Sequence, residues 1–230
     1  MKPKIIVFSG AGMSAESGIN TFRDSNGLWE NYNVRDVATP EAWVQNPDLV
    51  TRFYNERREN IISTKPNSAH IAIANLGKLM DVCVITQNID DLHERAGSQK
   101  VLHLHGNIRF SKSSNPKAEE KYYPIHGASL DAKDLCPAGY RLRPHVVWFG
   151  EAVPMMSEAI GLVKQATHFI VIGSSLEVYP AAGLVSFCPE NAKKWIVDPK
   201  AHEIEIHSSF TCIQKPASEG IRDVIQAIKP

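Results

Sequence analysis

The chain has 230 residues, 43% of them hydrophobic, which suits one large domain, alone or carrying a small insertion, and a sizeable core. Its 25 basic and 25 acidic residues cancel, so no global field recruits nucleic acid or an anionic membrane. Four cysteines, Cys83, Cys136, Cys188 and Cys212, show no paired spacing, which excludes a disulfide framework and suits a reducing compartment.

The first stretch, MKPKIIVFSG, has an apolar run too short for a signal-peptide core. No run approaches the roughly 18 apolar residues of a membrane helix. A soluble, cytoplasmic protein is expected. In chain order, KIIVFS (Lys4–Ser9), DVCVIT (Asp81–Thr86), VLHLH (Val101–His105), HVVWF (His145–Phe149), HFIVIGS (His168–Ser174) and KKWIVD (Lys193–Asp198) read as buried strands. Helical patterns lie between and after them in DLVTRFYNERRENIIS, SAHIAIANLGKLM, MMSEAIGLVKQA and IRDVIQAI. The alternation predicts an α/β fold with a Rossmann-like, doubly wound parallel sheet.

Two segments break the rhythm. Residues 21–64 read as loop plus helices. Residues 108–144 are polar and rich in Lys, Ser and Pro. Both read as insertions that together build a small second domain. The expected large domain takes residues 1–30, 65–107 and 145–230; the small one takes 31–64 and 108–144.

Gly10, Gly12 and Ala15 follow the first strand at the spacing of a dinucleotide loop, where missing side chains let backbone N–H groups approach a pyrophosphate. A tight turn would use the same glycines. A nicotinamide dehydrogenase would next show a second strand ending in an acidic residue about 20 residues on, and no strand leads into Glu30. Three further polar sets follow strand ends. TQNIDDLH offers Gln87, Asn88, Asp90 and Asp91, or simply an N-capped helix. VLHLHGN places His103 and His105 on one face of a strand, with Gly106 behind. GSSLEVYPAAG repeats the small and polar pattern. In open α/β sheets ligands bind outside the carboxyl ends of strands, so four such ends predict one nucleotide-binding crevice.

The ordered motifs GAGMSAESGINTFRDSNGLW, TQNIDDLH, HLHGN, RPHVVWFGE and GSSLEVYPAAG closely resemble those of the sirtuins, the NAD-dependent protein lysine deacylases, across nearly the whole chain. The resemblance implies NAD as cofactor and acyl-lysine proteins or peptides as substrates. It implies chemistry in which the acyl amide oxygen attacks the ribose carbon bearing nicotinamide, after which a base activates a ribose hydroxyl. By that match His105 is the base, suited by an imidazole pKa near 6.5. Asn88 and Asp90 line the nicotinamide pocket and Gln87 contacts the ribose. Ala11, Phe22 and Arg23 belong to a mobile loop over the reactive carbon. Gly10, Gly12, Glu16, Gly173, Ser174, Ser175, Asp198 and Ser218 hold the phosphates and adenosine side. Val147, Phe149, Gly150, Glu151, Val178 and Tyr179 meet the substrate, the first of these by pairing with an extended peptide as an added strand.

Three departures matter. Asn20 stands where the family has proline, and Asp198 where an asparagine commonly contacts the ribose; both are expected to be tolerated. The family's small domain carries four thiolates on a structural zinc, whereas residues 108–144 contain only Cys136, with Gly139 at the expected partner position. Even with His126 this makes no four-coordinate site, so zinc is expected to be absent, with Tyr122, Tyr123, Pro124 and Tyr140 packing the module.

Tyr54 and Arg57 in RFYNERRENI stand three residues apart, neighbours on a helix. They match the Tyr-x-x-Arg pair of the sirtuin class that removes succinyl, malonyl and glutaryl groups. A solvated, salt-bridged helix face is the local alternative. Two other activities share the motifs: protein mono-ADP-ribosyl transfer, and a non-catalytic NAD or ADP-ribose sensor.

Overall fold

The structure, a computed structural model, describes residues 3–20, the backbone of 28–29, residues 32–118 and residues 121–228. Eleven strands are found among them: β1 (Lys4–Ser9), β2 (Leu28–Trp29), β3 (Tyr32–Asn33), β4 (Asp81–Thr86), β5 (Val101–His103), β6 (Gly106–Ser113), β7 (Tyr122–Pro124), β8 (Leu142–Val146), β9 (His168–Ile172), β10 (Lys193–Val197) and β11 (Phe210–Ile213). The α-helices are α1 (Gly12–Ala15), α2 (Val34–Val37), α3 (Pro40–Gln45), α4 (Pro47–Ser63), α5 (Ser68–Leu79), α6 (Leu92–Arg95), α7 (Met156–Val163) and α8 (Ala217–Ile228). None of the described helices is long and apolar enough to cross a membrane.

Six strands form one sheet in the order β11-β10-β9-β1-β4-β5, every neighbouring pair parallel. Numbered along the chain within that sheet, the order is 3-2-1-4-5-6, the doubly wound arrangement whose direction reverses between β1 and β9. Central parallel strands are covered on both faces, which is why β1 is apolar without interruption. Its alternate residues divide between two cores. Ile5 and Val7 pack with Ile73 and Leu76 of α5 and Ile221 and Val224 of α8. Ile6 and Phe8 pack with Ala159 and Val163 of α7.

Outside this sheet, β7-β6-β8 form an antiparallel three-stranded sheet, and β2 and β3 a two-residue hairpin. The expected strand His145–Phe149 is therefore displaced. β8 runs from Leu142 to Val146 and joins the small sheet, while Phe149 is 47% exposed in a turn. Val101–His105 ends early as well, at His103. A third core lies under α4, where Val50, Phe53, Tyr54 and Ile61 meet Ile108, Val146 and Trp148. Asn46 caps α4 by accepting from the Leu49 N–H, with Pro47 in the first turn.

Two histidines are buried where α5 and α6 meet beside β1. His70 and His93 lie edge to face with ring centroids 4.8 Å apart. Ser9 Oγ donates to Thr86 Oγ1 (2.9 Å), so it accepts from His93 Nε2 (3.0 Å). Burial pushes His70 down to about 4 and His93 well below the ordinary histidine range, the charge of each neighbouring histidine adding to the effect on His93. Both are neutral when folded and must charge when unfolded. Their contribution to stability is present above pH 6.5 and is lost as pH falls from there towards the lowered folded values. Unfolding free energy should therefore decline between pH 7.5 and 5.5. His93→Leu should make that decline smaller by about 1.4 kcal/mol over those two pH units, as read by denaturant titration; identical slopes would show that His93 does not titrate on unfolding.

Candidate functional site

At the reversal point the loops after β1 and β9 cross in direct backbone contact. Gly10 N–H donates to Ile172 O (3.1 Å) and Gly12 N–H to Gly173 O (2.8 Å). A Cβ on Gly12 would sit 2.8 Å from Gly173 Cα, and one on Gly173, where φ is +61°, would sit 2.1 Å from Met13 N. The glycines are needed first so that the two loops can cross. β9 ends at Ile172 because Gly173 turns out of the extended region. Gln87, just past β4, joins the crossing: its Oε1 accepts from Ser174 Oγ (3.2 Å), while its buried Nε2 has no hydrogen-bond partner among the described residues. A buried donor left without an acceptor at this point fits a dinucleotide, whose ribose hydroxyls and phosphate oxygens accept. Ala11 is exposed at the start of α1, and Ser175 is half-buried after Ser174.

Asn88 turns to Ser14 and not to α6, while Asp90 meets both. Asp90, 4% exposed, accepts from Leu92 N–H with Oδ1 (3.1 Å) and from Ser14 Oγ with Oδ2 (2.9 Å). Ser14 in turn accepts from Asn88 Nδ2 (3.1 Å). Burial raises the Asp90 carboxyl pKa, and the bonds from Leu92 and Ser14 only partly offset it. Ser14, a buried polar residue of α1, is the hub of this group. Sequence reasoning missed it; its one signal was a serine directly after the glycine loop.

His103 and His105 point their rings at consecutive carbonyls past β4, Asn88 O and Gln87 O respectively, each at 3.0 Å. His103 ends β5, and His105 lies in the turn beyond it rather than on the strand. A carbonyl only accepts, so His105 carries its proton on Nδ1 and leaves the Nε2 lone pair available. Burial lowers the His105 pKa, the Gln87 bond only partly opposing it. His103 goes the other way. Burial again lowers its pKa, but the Glu94 carboxylate 2.6 Å from Nε2 outweighs that and raises it. Two histidines two residues apart are thus pushed in opposite directions, His103 towards its charged form by Glu94 and His105 towards its neutral form by burial.

The His105 carbonyl accepts from Val147 N–H (2.9 Å). Next along, the Trp148 indole donates to Tyr54 Oη (3.1 Å) on α4. Tyr54 is fully buried, and burial pushes its phenol pKa above the ordinary value although the nearby Arg57 charge works against this. Arg57 is 5% exposed, its guanidinium 5.7 Å from the Phe53 ring centroid. Both Tyr54 and Arg57 face the interior, which removes the solvated-surface alternative; Glu56 and Glu59 take the outside. The Trp148 turn is held by Glu151, whose carboxylate receives both Nη atoms of Arg143 at 2.8 Å and the Trp148 N–H at 2.8 Å. Arg143 also lies 3.4 Å over the Trp148 ring. The Val147, Trp148 and Phe149 N–H groups are all donated within the chain, the last to Ala38 O. This segment is therefore not the open strand edge expected for an added peptide strand.

The remaining expected residues are less converged. Glu16 accepts from Ser218 N–H (2.9 Å) and Oγ (2.6 Å), so these two meet each other, at the N-terminus of α8. Asp198 is buried after β10 and accepts from Lys200 N–H (2.9 Å). Val178 and Tyr179 are 38% and 75% exposed, and Gly150 is exposed in the turn after Phe149. Asn20 is exposed, and Phe22 and Arg23 lie outside the described residues. In the small sheet Cys136 packs with Ile125, Leu130 and Leu142, its Sγ 3.5 Å from Ser113 Oγ. Tyr123 joins this core, but Tyr122, Pro124 and Tyr140 are exposed, so aliphatic residues fill it, not the expected aromatic set. Among the described residues no group of three or more His, Cys, Asp or Glu could hold a metal ion, and one buried thiol among aliphatic side chains does not fit a four-thiolate site.

The fold and the crevice at its reversal point define an α/β protein built to hold a dinucleotide. The sequence pattern of the Sir2 family matches residues 10–180, and the chain belongs to that family. It is 44% identical over 229 residues, 98% of either chain, to an NAD-dependent protein deacylase of Bacteroides thetaiotaomicron. It is 50% identical over 200 residues, 86% of this chain and 94% of the other, to one from Aggregatibacter actinomycetemcomitans. A crystal structure of a Sir2 homolog in complex with NAD superposes with a TM-score of 0.85 at 34% identity, covering 99% of this chain and 91% of that one.

Proposed function

We propose that this chain is an NAD-dependent protein lysine deacylase that removes acidic acyl groups, succinyl, malonyl or glutaryl, and retains activity on acetyl. The products are nicotinamide, O-acyl-ADP-ribose and free lysine. The observation that carries the acidic preference is the short path from His105 through Val147 and Trp148 to the buried Tyr54 and Arg57. That path links the turn carrying His105 to the helix carrying the phenol and the guanidinium.

Bound NAD supplies the ribose carbon that takes the acyl oxygen as nicotinamide leaves. The chain's own groups do the rest. Neutral His105 accepts a hydroxyl proton at Nε2, its ring fixed by the Gln87 carbonyl. The Gln87 Nε2 donor and the crossing glycine loops hold the sugar and phosphates. The Asn88–Ser14–Asp90 group receives the nicotinamide amide. Phe149 and Val147 cover the methylene stem of the lysine.

Arginine grips a carboxylate through two charge-assisted bonds. Tyr54, which accepts from Trp148, keeps its own O–H to donate a third. Such contacts in a shielded pocket are worth about 1.5–3 kcal/mol, or roughly 10- to 100-fold.

Succinyl-, malonyl- or glutaryl-peptide should therefore be turned over with a higher kcat/KM than the same peptide carrying acetyl, and Arg57→Ala should reverse that order by a loss of about 10- to 100-fold on the acidic acyl. Acetyl preferred by the wild type, with no effect of the substitution, would leave a general deacetylase. His105→Tyr should abolish turnover of every acyl peptide while NAD binding stays within a few-fold; retained turnover would remove His105 from its role. We also read the small sheet as metal-free. Elemental analysis of the purified protein should find far less than one zinc per chain, and a stoichiometric zinc would overturn this reading.

A further inference from the structure

Helix α4 has two faces with different tasks. Val50, Tyr54, Arg57 and Ile61, at helical spacing, face the interior, all buried. Asp48, Thr51, Asn55 and Arg58, on the neighbouring stripe about 100° round the helix, meet the β6–β7–β8 sheet and its connections. Asp48 and Thr51 receive Arg141 Nη2 at 2.7 and 3.2 Å. Asn55 and Leu130 bond reciprocally, Asn55 Nδ2 to Leu130 O and Leu130 N–H to Asn55 Oδ1, both at 3.0 Å. Arg58 has no exposed surface. Its Nε donates to Ile108 O, and its Nη1 to Ala128 O and to Asn55 Oδ1, all at 2.7 Å. Burial and the charge of Arg109 pull its pKa down to about 10, so it is still protonated at neutral pH.

The bonds to Ile108, Ala128 and Leu130 go to backbone, and backbone of two separate stretches: the start of β6 and the β7–β8 connection. A side chain that bridges two such stretches fixes a helix against sliding and rolling at once. Side-chain tips on a helix lie about 5–6 Å from its axis, so a 20° roll moves them about 2 Å. That is more than a bidentate hydrogen bond accommodates. Asn55 directly follows Tyr54, and Arg58 directly follows Arg57.

We infer that Asn55 and Arg58 are positioning residues for acyl recognition: by pinning α4 to the small sheet they set where Tyr54 and Arg57 point. The inference rests on the acidic-acyl reading above. Neither residue touches NAD or peptide in this account, so their loss should act on the acyl group alone.

The test compares wild type with Asn55→Ala, Arg58→Met and Arg58→Lys, using succinyl- and acetyl-lysine forms of one peptide, with NAD affinity and Tm measured in parallel. Arg58→Met keeps the apolar stem and removes all three donors. We expect it and Asn55→Ala to lower the succinyl-to-acetyl ratio of kcat/KM by 10-fold or so through KM for the succinyl peptide. Acetyl turnover and NAD affinity should stay within about twofold, and Arg58→Lys, which keeps one donor, should recover part of the ratio. Should Arg58→Met fail to fold, Asn55→Ala decides alone. An unchanged ratio overturns the inference, as does an equal fall on both acyl groups, which marks a merely structural role. A wild type with no acidic preference overturns the acyl reading itself and this inference with it, whereas a selective wild type whose variants stay selective overturns the inference only.

Discussion

The backbone contact between the Gly10–Gly12 turn and Gly173 is the constraint on which the site depends. Parallel strands β1 and β9 end side by side at the reversal of the sheet, and their chains must part there to opposite faces. With side chains the two loops would stand apart. Without them Gly12 donates straight to the Gly173 carbonyl, and Gln87 and Ser174 are drawn in beside the crossing. A crevice results whose floor is peptide backbone, the surface best able to lie against a pyrophosphate.

Around that floor, electrostatic roles are divided by small differences in surroundings. His103 and His105 use the same anchor, a carbonyl past β4, yet one reaches a carboxylate and the other does not. The first is pushed towards its charged form and the second towards its neutral form. Asp90 is shifted towards its neutral form although two donors oppose this. Opposite shifts thus lie side by side without any exotic residue.

Much of this was legible in the sequence. β1, β4 and β10 have runs of Ile and Val that only strands covered on both faces use, and their ends fall as read or within one residue. β8 was misread because Val146–Phe149 looks apolar, whereas Arg143 and Pro144, which look like loop, are buried strand residues. Arg143 is tolerated there because Glu151 forks it from across a turn, a pairing no local pattern encodes. β6 and β7 escaped notice because a small antiparallel sheet carries polar side chains on one face. In the site, Asn88, Asp90 and His105 stand out as polar groups at strand ends and take their roles only from the resemblance, Gly10 and Gly12 follow from loop spacing, and Gly173 from the small and polar run after a strand. Ser14 and Trp148 were missed, since each acts only through a partner distant in sequence. Burial of both Tyr54 and Arg57 could not be read from a helix flanked by Glu56 and Glu59.

The interleaving of neighbours on α4 has a consequence for how this protein can vary. Each helical residue advances the direction of its side chain by about 100°, so the stripe that holds the small sheet and the stripe that faces the interior share one phase. A single-residue insertion or deletion inside α4, ahead of Tyr54, would swing both together. The anchor residues would leave the small sheet as Tyr54 and Arg57 left the interior. Substitutions along α4 can be sampled one face at a time; changes of its length cannot. Drift in this helix is therefore confined to point exchanges.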